Sequence, residues 1–277
     1  MEILDIIKES FIFPSQNLGK LAIYIVITFI IGLIAVGGVI STVFGVIDNF
    51  VYVIIGVLLF IISLIVSFII SGYQINLIKS GIDHDEEAPE FDWKNDLIIG
   101  VKKLIIDIVY MIIPAIFIVI VAFITNIPGQ ILDISQQAAL SSANATAVAT
   151  ASAPLVTISD AAAASLFTSI AITGLVALVL IIIFAFLLTM GESRLANTGS
   201  LSEALNIVEA YKDITRIGIG KVVAVVLLII IVIAVINGIL GYVYGQIPQL
   251  SIISVLVAPY LMFFQQRATG LLYSDIA

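Results

Sequence analysis

The chain has 277 residues, 61% hydrophobic and 11% charged, with a net charge of −8 and a mean hydropathy of +1.25. Soluble domains are about 45–50% apolar and about 25% charged, so a water-soluble fold is excluded, and the acidic balance speaks against nucleic acid as a partner. Cysteine is absent, which removes disulfides, thiolate metal sites and thiol catalysis.

Residues 2–13 place Glu2, Asp5 and Glu9 on one helical face and Leu4, Ile7 and Phe11 on the other. This is the pattern of a short amphipathic helix in the membrane interface, and the stretch from Pro14 to Gly19 is expected to break it. The first apolar run, residues 21–46, exceeds the roughly 7–15 residues of a signal-peptide core, so no cleaved signal is expected. Gly37, Ser41 and Gly45 recur every four residues along it, which predicts a helix-packing strip. Asp48 and Asn49 form a turn, and the second span covers residues 50–78.

Residues 81–96 hold seven of the nineteen carboxylates, the only His and the only Trp. Pro89 puts this segment outside a regular helix, and Asp92 or Asn95 can cap the next one. The third span begins amphipathically near residue 97, with Lys103 and Asp107 spaced to pair, and runs to about residue 127. Residues 128–160 are rich in Ala, Ser, Thr and Gln, lack Lys and Arg, and read as a long outer loop. Asn144 with Thr146 forms a glycosylation acceptor pattern there.

The fourth span, residues 164–190, carries Ser165, Ser169 and Thr173 in another four-residue strip. Glu192 and Arg194 flank its end and are expected to reach water or headgroups. Ser200 and Glu203 have the capping-box spacing and open a second amphipathic helix to about residue 215. Its apolar side is Leu201, Leu205 and Val208; its polar side is Glu203, Asn206, Glu209 and Asp213. The fifth span, residues 222–244, closes on Gly241 and Gly245 in GxxxG spacing, a packing signal. The sixth covers residues 250–272.

With six spans, all eleven basic residues fall on one side: Lys8, Lys20, Lys79, Lys94, Lys102, Lys103, Arg194, Lys212, Arg216, Lys221 and Arg267. The positive-inside rule then puts both termini in the cytoplasm and the 128–160 loop outside the cell membrane. Three units, residues 2–81, 91–199 and 200–270, each have a Lys where the spans begin (Lys20, Lys103, Lys221) and close at a Gly (Gly81, Gly199, Gly270). The expected fold is a single all-α integral membrane domain of six transmembrane helices. They form three parallel hairpin-like repeats, each preceded by a short amphipathic interfacial helix. Inverted repeats, the commoner transporter signature, are not the pattern.

Gly72 and Tyr73, then Pro89, Glu90, Phe91, Asp92 and Trp93, then Gly100, Lys103 and Tyr110 resemble the DUF4013 family of prokaryotic, largely archaeal, polytopic membrane proteins. The motif-level likeness covers about 40 residues. The family pattern has Leu where Ala88 stands and Trp where Phe91 stands. The resemblance implies an uncharacterised multi-pass membrane protein and brings no catalytic residues with it.

Asp83, His84, Asp85, Glu86 and Glu87 either offer ligands to a divalent cation or form a solvated acidic loop. One His without a second cluster defines no metal site. Asp107 with Lys103 is a structural ion pair or a functional intramembrane charge. Asn237 and Thr189 are the sparse polar groups near mid-membrane, and Trp93 reads as an interfacial anchor. No GxSxG, HExxH or P-loop pattern is present. The expected function is non-catalytic: a membrane scaffold, lipid-interacting or assembly component. Its partners would be the lipid bilayer and a second copy or another membrane protein, with no cofactor. The alternative is a transporter or channel-like pathway for a small solute or ion, and an intramembrane enzyme ranks third.

Overall fold

The computed structural model describes residues 1–147 and 159–277, with backbone alone over 141–147. Among the described residues all regular structure is helical. The helices are α1 (Ile3–Gln16), α2 (Leu18–Ile47), α3 (Phe50–Ile82), α4 (Trp93–Ile124), α5 (Ile127–Ala147), α6 (Asp160–Thr198), α7 (Leu201–Ala204), α8 (Ile207–Ile217), α9 (Ile219–Gln246) and α10 (Ser254–Tyr273). Among the described residues six segments are long and apolar enough to cross a membrane: α2, α3, α4, α6, α9, and Pro248–Tyr273, in which a 3-10 turn leads into α10. At about 1.5 Å per residue each exceeds a hydrocarbon core of about 30 Å.

The chain forms two compact units, Met1–Asp107 with Leu187–Ala277, and Ile108–Phe186. The first is built on the second half of α3, where ten of the fourteen residues from Ile69 to Ile82 are buried. Helices in lipid gain little from apolar burial and associate through close contact. Here glycine supplies that contact. A Cβ on Gly72 would overlap the Asp96 carbonyl and one on Gly100 the Phe68 carbonyl, so α3 and α4 touch backbone to backbone. A Cβ on Gly81 would lie 2.8 Å from the Arg267 carbonyl oxygen and 2.9 Å from the Gly270 Cα, so α3 meets α10 in the same way. Around this joint Tyr73 packs with Phe13, Leu21, Tyr24, Ile70, Leu77, Ala88 and Phe263.

Between α2 and α3 the packing strip is Gly38, Thr42 and Gly45, which face Gly56 and Val53. The predicted strip of Gly37, Ser41 and Gly45 is displaced by one residue. A Cβ on Gly37 would meet only Leu59, at an ordinary 3.9 Å. With 3.6 residues per turn the two stripes overlap, and spacing alone does not choose between them. The GxxxG pair Gly241 and Gly245 has no atom within 4 Å of either added Cβ, so it packs against nothing in the described chain.

The break expected over residues 14–19 shrinks to one residue, Asn17, because α1 continues through Pro14 to Gln16. Asn17 makes so tight a turn possible by bonding on both sides. Its Nδ2 donates to the carbonyls of Phe13 at 3.0 Å and Glu86 at 3.1 Å, and its Oδ1 accepts from the Ala88 amide at 2.7 Å. The capping box at Ser200 and Glu203 does not form: the Ser200 side chain makes no cap bond. The helix breaks after α7, and Asn206 caps α8 by accepting from the Glu209 amide at 3.2 Å.

In the second unit, the segment read as a loop from residue 128 is helical as far as Ala147. Its Ala, Leu and Gln are strong helix formers, and Asn126, with φ 56°, turns the chain sharply between α4 and α5. Asn144 falls in this helix, and its side chain lies outside the described residues, as do residues 148–158 of the predicted loop. Ser169 and Thr173 of α6 join the helices by hydrogen bonds. Ser169 donates to the Thr125 carbonyl at 3.0 Å, and the Thr125 and Thr173 hydroxyls lie 3.1 Å apart.

Gly72→Leu is expected to force α3 and α4 apart and cost about 1–3 kcal/mol, as overpacking does. Gly241→Leu, facing open space, is expected to be neutral. Thermal unfolding of the detergent-purified variants checks this, and equal melting temperatures would contradict it.

Candidate functional site

The polar side chains at one end of the first unit form several linked groups. The acidic connector between α3 and α4 is held by aromatic stacking. The Tyr73 ring stacks on Phe91 at 3.9 Å with the planes 5° apart, and Phe91 lies over Trp93 at 6.1 Å. The Tyr73 hydroxyl donates to the Pro89 carbonyl at 3.1 Å. Asp92 opens α4 by accepting from the Asn95 amide at 3.1 Å, while its own amide donates to Asp96 Oδ2 at 3.0 Å. Asp96 is fully buried and also accepts from Asn76 on α3 at 2.7 Å. Glu90 reaches back to pair with Lys20. Trp93 is half exposed at the start of α4.

Arg267, 2% exposed, is the second focus. One guanidinium nitrogen donates to the carbonyls of Ser80 at 2.7 Å and Asp85 at 2.6 Å. Another donates to Glu9 of α1 at 2.7 Å, and the guanidinium sits 4.5 Å from the Phe13 ring. A cavity of about 560 Å³ lies beside it, lined by Glu9, Asn17, His84, Glu86 and Glu87 among others. The carboxylates of the connector do not gather with His84 into a group of three metal ligands among the described residues.

Lys103, Asp107 and Glu192 come together. Lys103 Nζ lies 3.0–3.1 Å from both Asp107 oxygens and also pairs with Glu192 of α6. Arg194, two residues on, belongs to a different network. It donates to Asp213 at 2.8 Å and to the Glu203 carboxylate at 2.6 Å. Asp213 is 1% exposed and also accepts from Arg216 at 2.9 Å and from the Tyr273 hydroxyl at 3.0 Å. The expectation that Glu192 and Arg194 reach water is overturned, because α4, α7 and α8 supply opposite charges that hold them inside. Asp213, read on the polar side of its helix, is buried for the same reason. Asn237 joins none of these groups and donates to the Ile233 carbonyl of its own helix at 2.9 Å.

Asp275 closes the chain ends together, pairing with Lys221 and with the N-terminal ammonium at 3.2 Å. Burial alone would raise its pKa, but these two cations outweigh it and hold the carboxyl below its ordinary value. Sequence reasoning missed Glu9, Asp96, Asp213, Arg267 and Tyr273 as network members. The available signal was a lone Arg inside the last apolar span, since a charge there needs a partner.

These features define a helical membrane protein of six apolar spans among the described residues, with many of its charged residues joined to one another. The DUF4013 family model, described as a protein of unknown function, matches residues 55–245, and the chain belongs to that family. No curated protein and no solved structure matches the chain. The residues that carry the family pattern include those that build the joint. Gly72 and Gly100 set the helix approach, and Tyr73 and Phe91 lock the connector. Phe91 presents a flat ring to Tyr73. Ala88 is buried and donates its amide to Asn17.

Arg267→Met is expected to cost about 3–5 kcal/mol, since it strands buried partners, with the partly exposed Glu9 drawing the value toward the lower end; Lys94→Met, at an exposed and unpaired site, is expected to cost nothing measurable. Thermal unfolding distinguishes the two. Because the Asp275 pKa is depressed in the folded state, its contribution to stability is present above the unfolded carboxyl pKa of about 3.9. It is lost as pH falls through the lower folded value. Acid titration of stability is expected to show this component in the parent and a smaller one in Lys221→Gln, where the N-terminal ammonium alone remains.

Proposed function

We propose that the protein is a non-catalytic membrane component, a scaffold or lipid-interacting assembly protein of the cell membrane. The observation that carries this reading is that the buried charges are used to join helices. Arg267 pairs with Glu9, Arg194 with Asp213, and Lys103 with Asp107 and Glu192. Each pair spans elements distant in sequence or braces one helix, and each neutralises a charge that is costly beside lipid.

Three hairpin repeats, the first led by α1 and the third by α8 while the second follows the non-helical acidic connector, fit the way these pairs close on themselves. Arg194, near the end of the second hairpin, holds α8, which leads the third; Arg267, near the end of the third, holds α1, which leads the first. Gly81 and Gly270, which close the first and third units, meet each other. Both termini and the acidic connector lie in the cytoplasm, and α5 lies outside, because the basic residues collect at one end of the spans. The alternative, a pathway for a small solute or ion, draws on the charged cavity beside Arg267.

Reconstituted into vesicles with proton, sodium and potassium gradients, the protein is expected to leave leak rates at the level of empty vesicles; saturable flux would overturn the reading in favour of a pathway. In intact cells a thiol at Ser135→Cys is expected to react with an impermeant reagent, and one at Asp83→Cys only after permeabilisation. The reverse labelling would invert the topology.

A further inference from the structure

The apolar stripe of α1 does not face the core. The buried residues of α1 are Ile6, Ser10, Phe13 and Pro14, whereas Leu4, Ile7 and Phe11 line an open groove against Ile231, Val235 and Ile236 of α9. The groove measures about 750 Å³, and Lys8 stands in its wall as the one charged side chain. Leu4 is 73% exposed. An apolar slot left empty between two helices forfeits dispersion contacts on both walls, and in a membrane protein hydrocarbon is at hand to fill it.

Lys8 specifies the occupant further. It is exposed and makes no ion pair or hydrogen bond among the described residues. Its neighbour Glu9 is taken by Arg267, and Asp5, one turn back, does not reach it. Most other basic residues have polar partners, and the two remaining exceptions, Lys79 and Lys94, are not part of this groove. A second copy docked by a twofold axis through the groove would bring two Lys8 ammonium groups face to face, which disfavours self-association there. A molecule with one hydrocarbon chain for the slot and a negative group for the lysine satisfies both features.

We propose that the groove between α1 and α9 holds an anionic phospholipid of the bilayer, with an acyl chain between the helices and its phosphate on Lys8. The inference rests on the lipid-interacting reading above and adds to it the site and the headgroup charge. Lys8 would extend along the slot with its ammonium at headgroup level, as long basic side chains do.

Native mass spectrometry of the full chain, given equal amounts of dioleoyl phosphatidylglycerol and dioleoyl phosphatidylcholine, tests it. The parent is expected to retain phosphatidylglycerol preferentially. Lys8→Gln is expected to lower that retention about fivefold, in keeping with one basic residue near an anionic surface, and Lys8→Arg to restore it. Val235→Trp, which fills the slot, is expected to reduce retention of both lipids, and Lys94→Gln to change nothing. Thermal unfolding of Lys8→Gln and Val235→Trp confirms that both remain folded, and Lys8→Gln, at an exposed position, carries the test if Val235→Trp does not fold. Unchanged phosphatidylglycerol retention in Lys8→Gln would overturn the site, as would a parent dimer abolished by Val235→Trp, which would give the groove to a second copy. If the site fails while vesicles stay tight to ions, the scaffold reading stands; flux through the protein would remove that reading whatever lipid it retains.

Discussion

Backbone contact along the second half of α3 is the constraint on which the first unit depends. In water a helix can be held by the free energy of hiding apolar surface; in hydrocarbon that term nearly vanishes, and closeness must replace it. Gly72 and Gly100 let α3 and α4 meet at their main chains, and Gly81 and Gly270 do so for α3 and α10. The same length of α3 presents Tyr73 to the connector and Asn76 to Asp96. Packing, capping and connector geometry therefore converge on about four turns of one helix.

Close approach also explains where the charges lie. The networks of Arg267 and Arg194 sit near helix ends, where a carbonyl or carboxylate from another element can be brought to a cation without an empty gap. Arg267 binds the carbonyls of Ser80 and Asp85 because Gly81 admits α10 beside the last turn of α3. Asp213 is neutralised by two arginines and also accepts a hydrogen bond from a tyrosine hydroxyl. Removing one member of such a group leaves the others buried and uncompensated, which costs more than an exposed pair is worth. The groove beside Lys8 differs in this respect, since its one cation is left over after the internal pairing.

Composition made the six spans legible, because each needs only about 20 apolar residues in succession. Local spacing made the contact between Lys103 and Asp107 legible, since four residues on a helix bring side chains together. Glu192 completes that group from 89 residues away, and no spacing rule reaches so far. The face of a helix was the harder inference. Gly37 and Gly38 differ by 100° of rotation, and only the position of α3 decides between them. Asp213 read only as part of a polar side, because helix spacing does not show that Arg194 stands opposite and buries it. At residues 128–147 a polar composition was read as a loop, although Ala and Gln favour helix as strongly as many apolar residues do. The family pattern around Gly72, Tyr73, Phe91 and Gly100 was visible as a motif, while its physical meaning required the crossing of α3 and α4.

The most direct test of this account uses the absence of native cysteine. Asn76→Cys with Asp96→Cys places two thiols where the side chains hydrogen-bond across the joint, at 2.7 Å in the parent. In native membranes under mild oxidation this pair is expected to form an intramolecular disulfide, as is a reference pair within the α2–α3 hairpin, Gly37→Cys with Leu59→Cys, where an added Cβ on Gly37 meets Leu59 at an ordinary 3.9 Å. Efficient reaction of the reference pair with none between positions 76 and 96 would contradict the claim that α3 and α4 meet there.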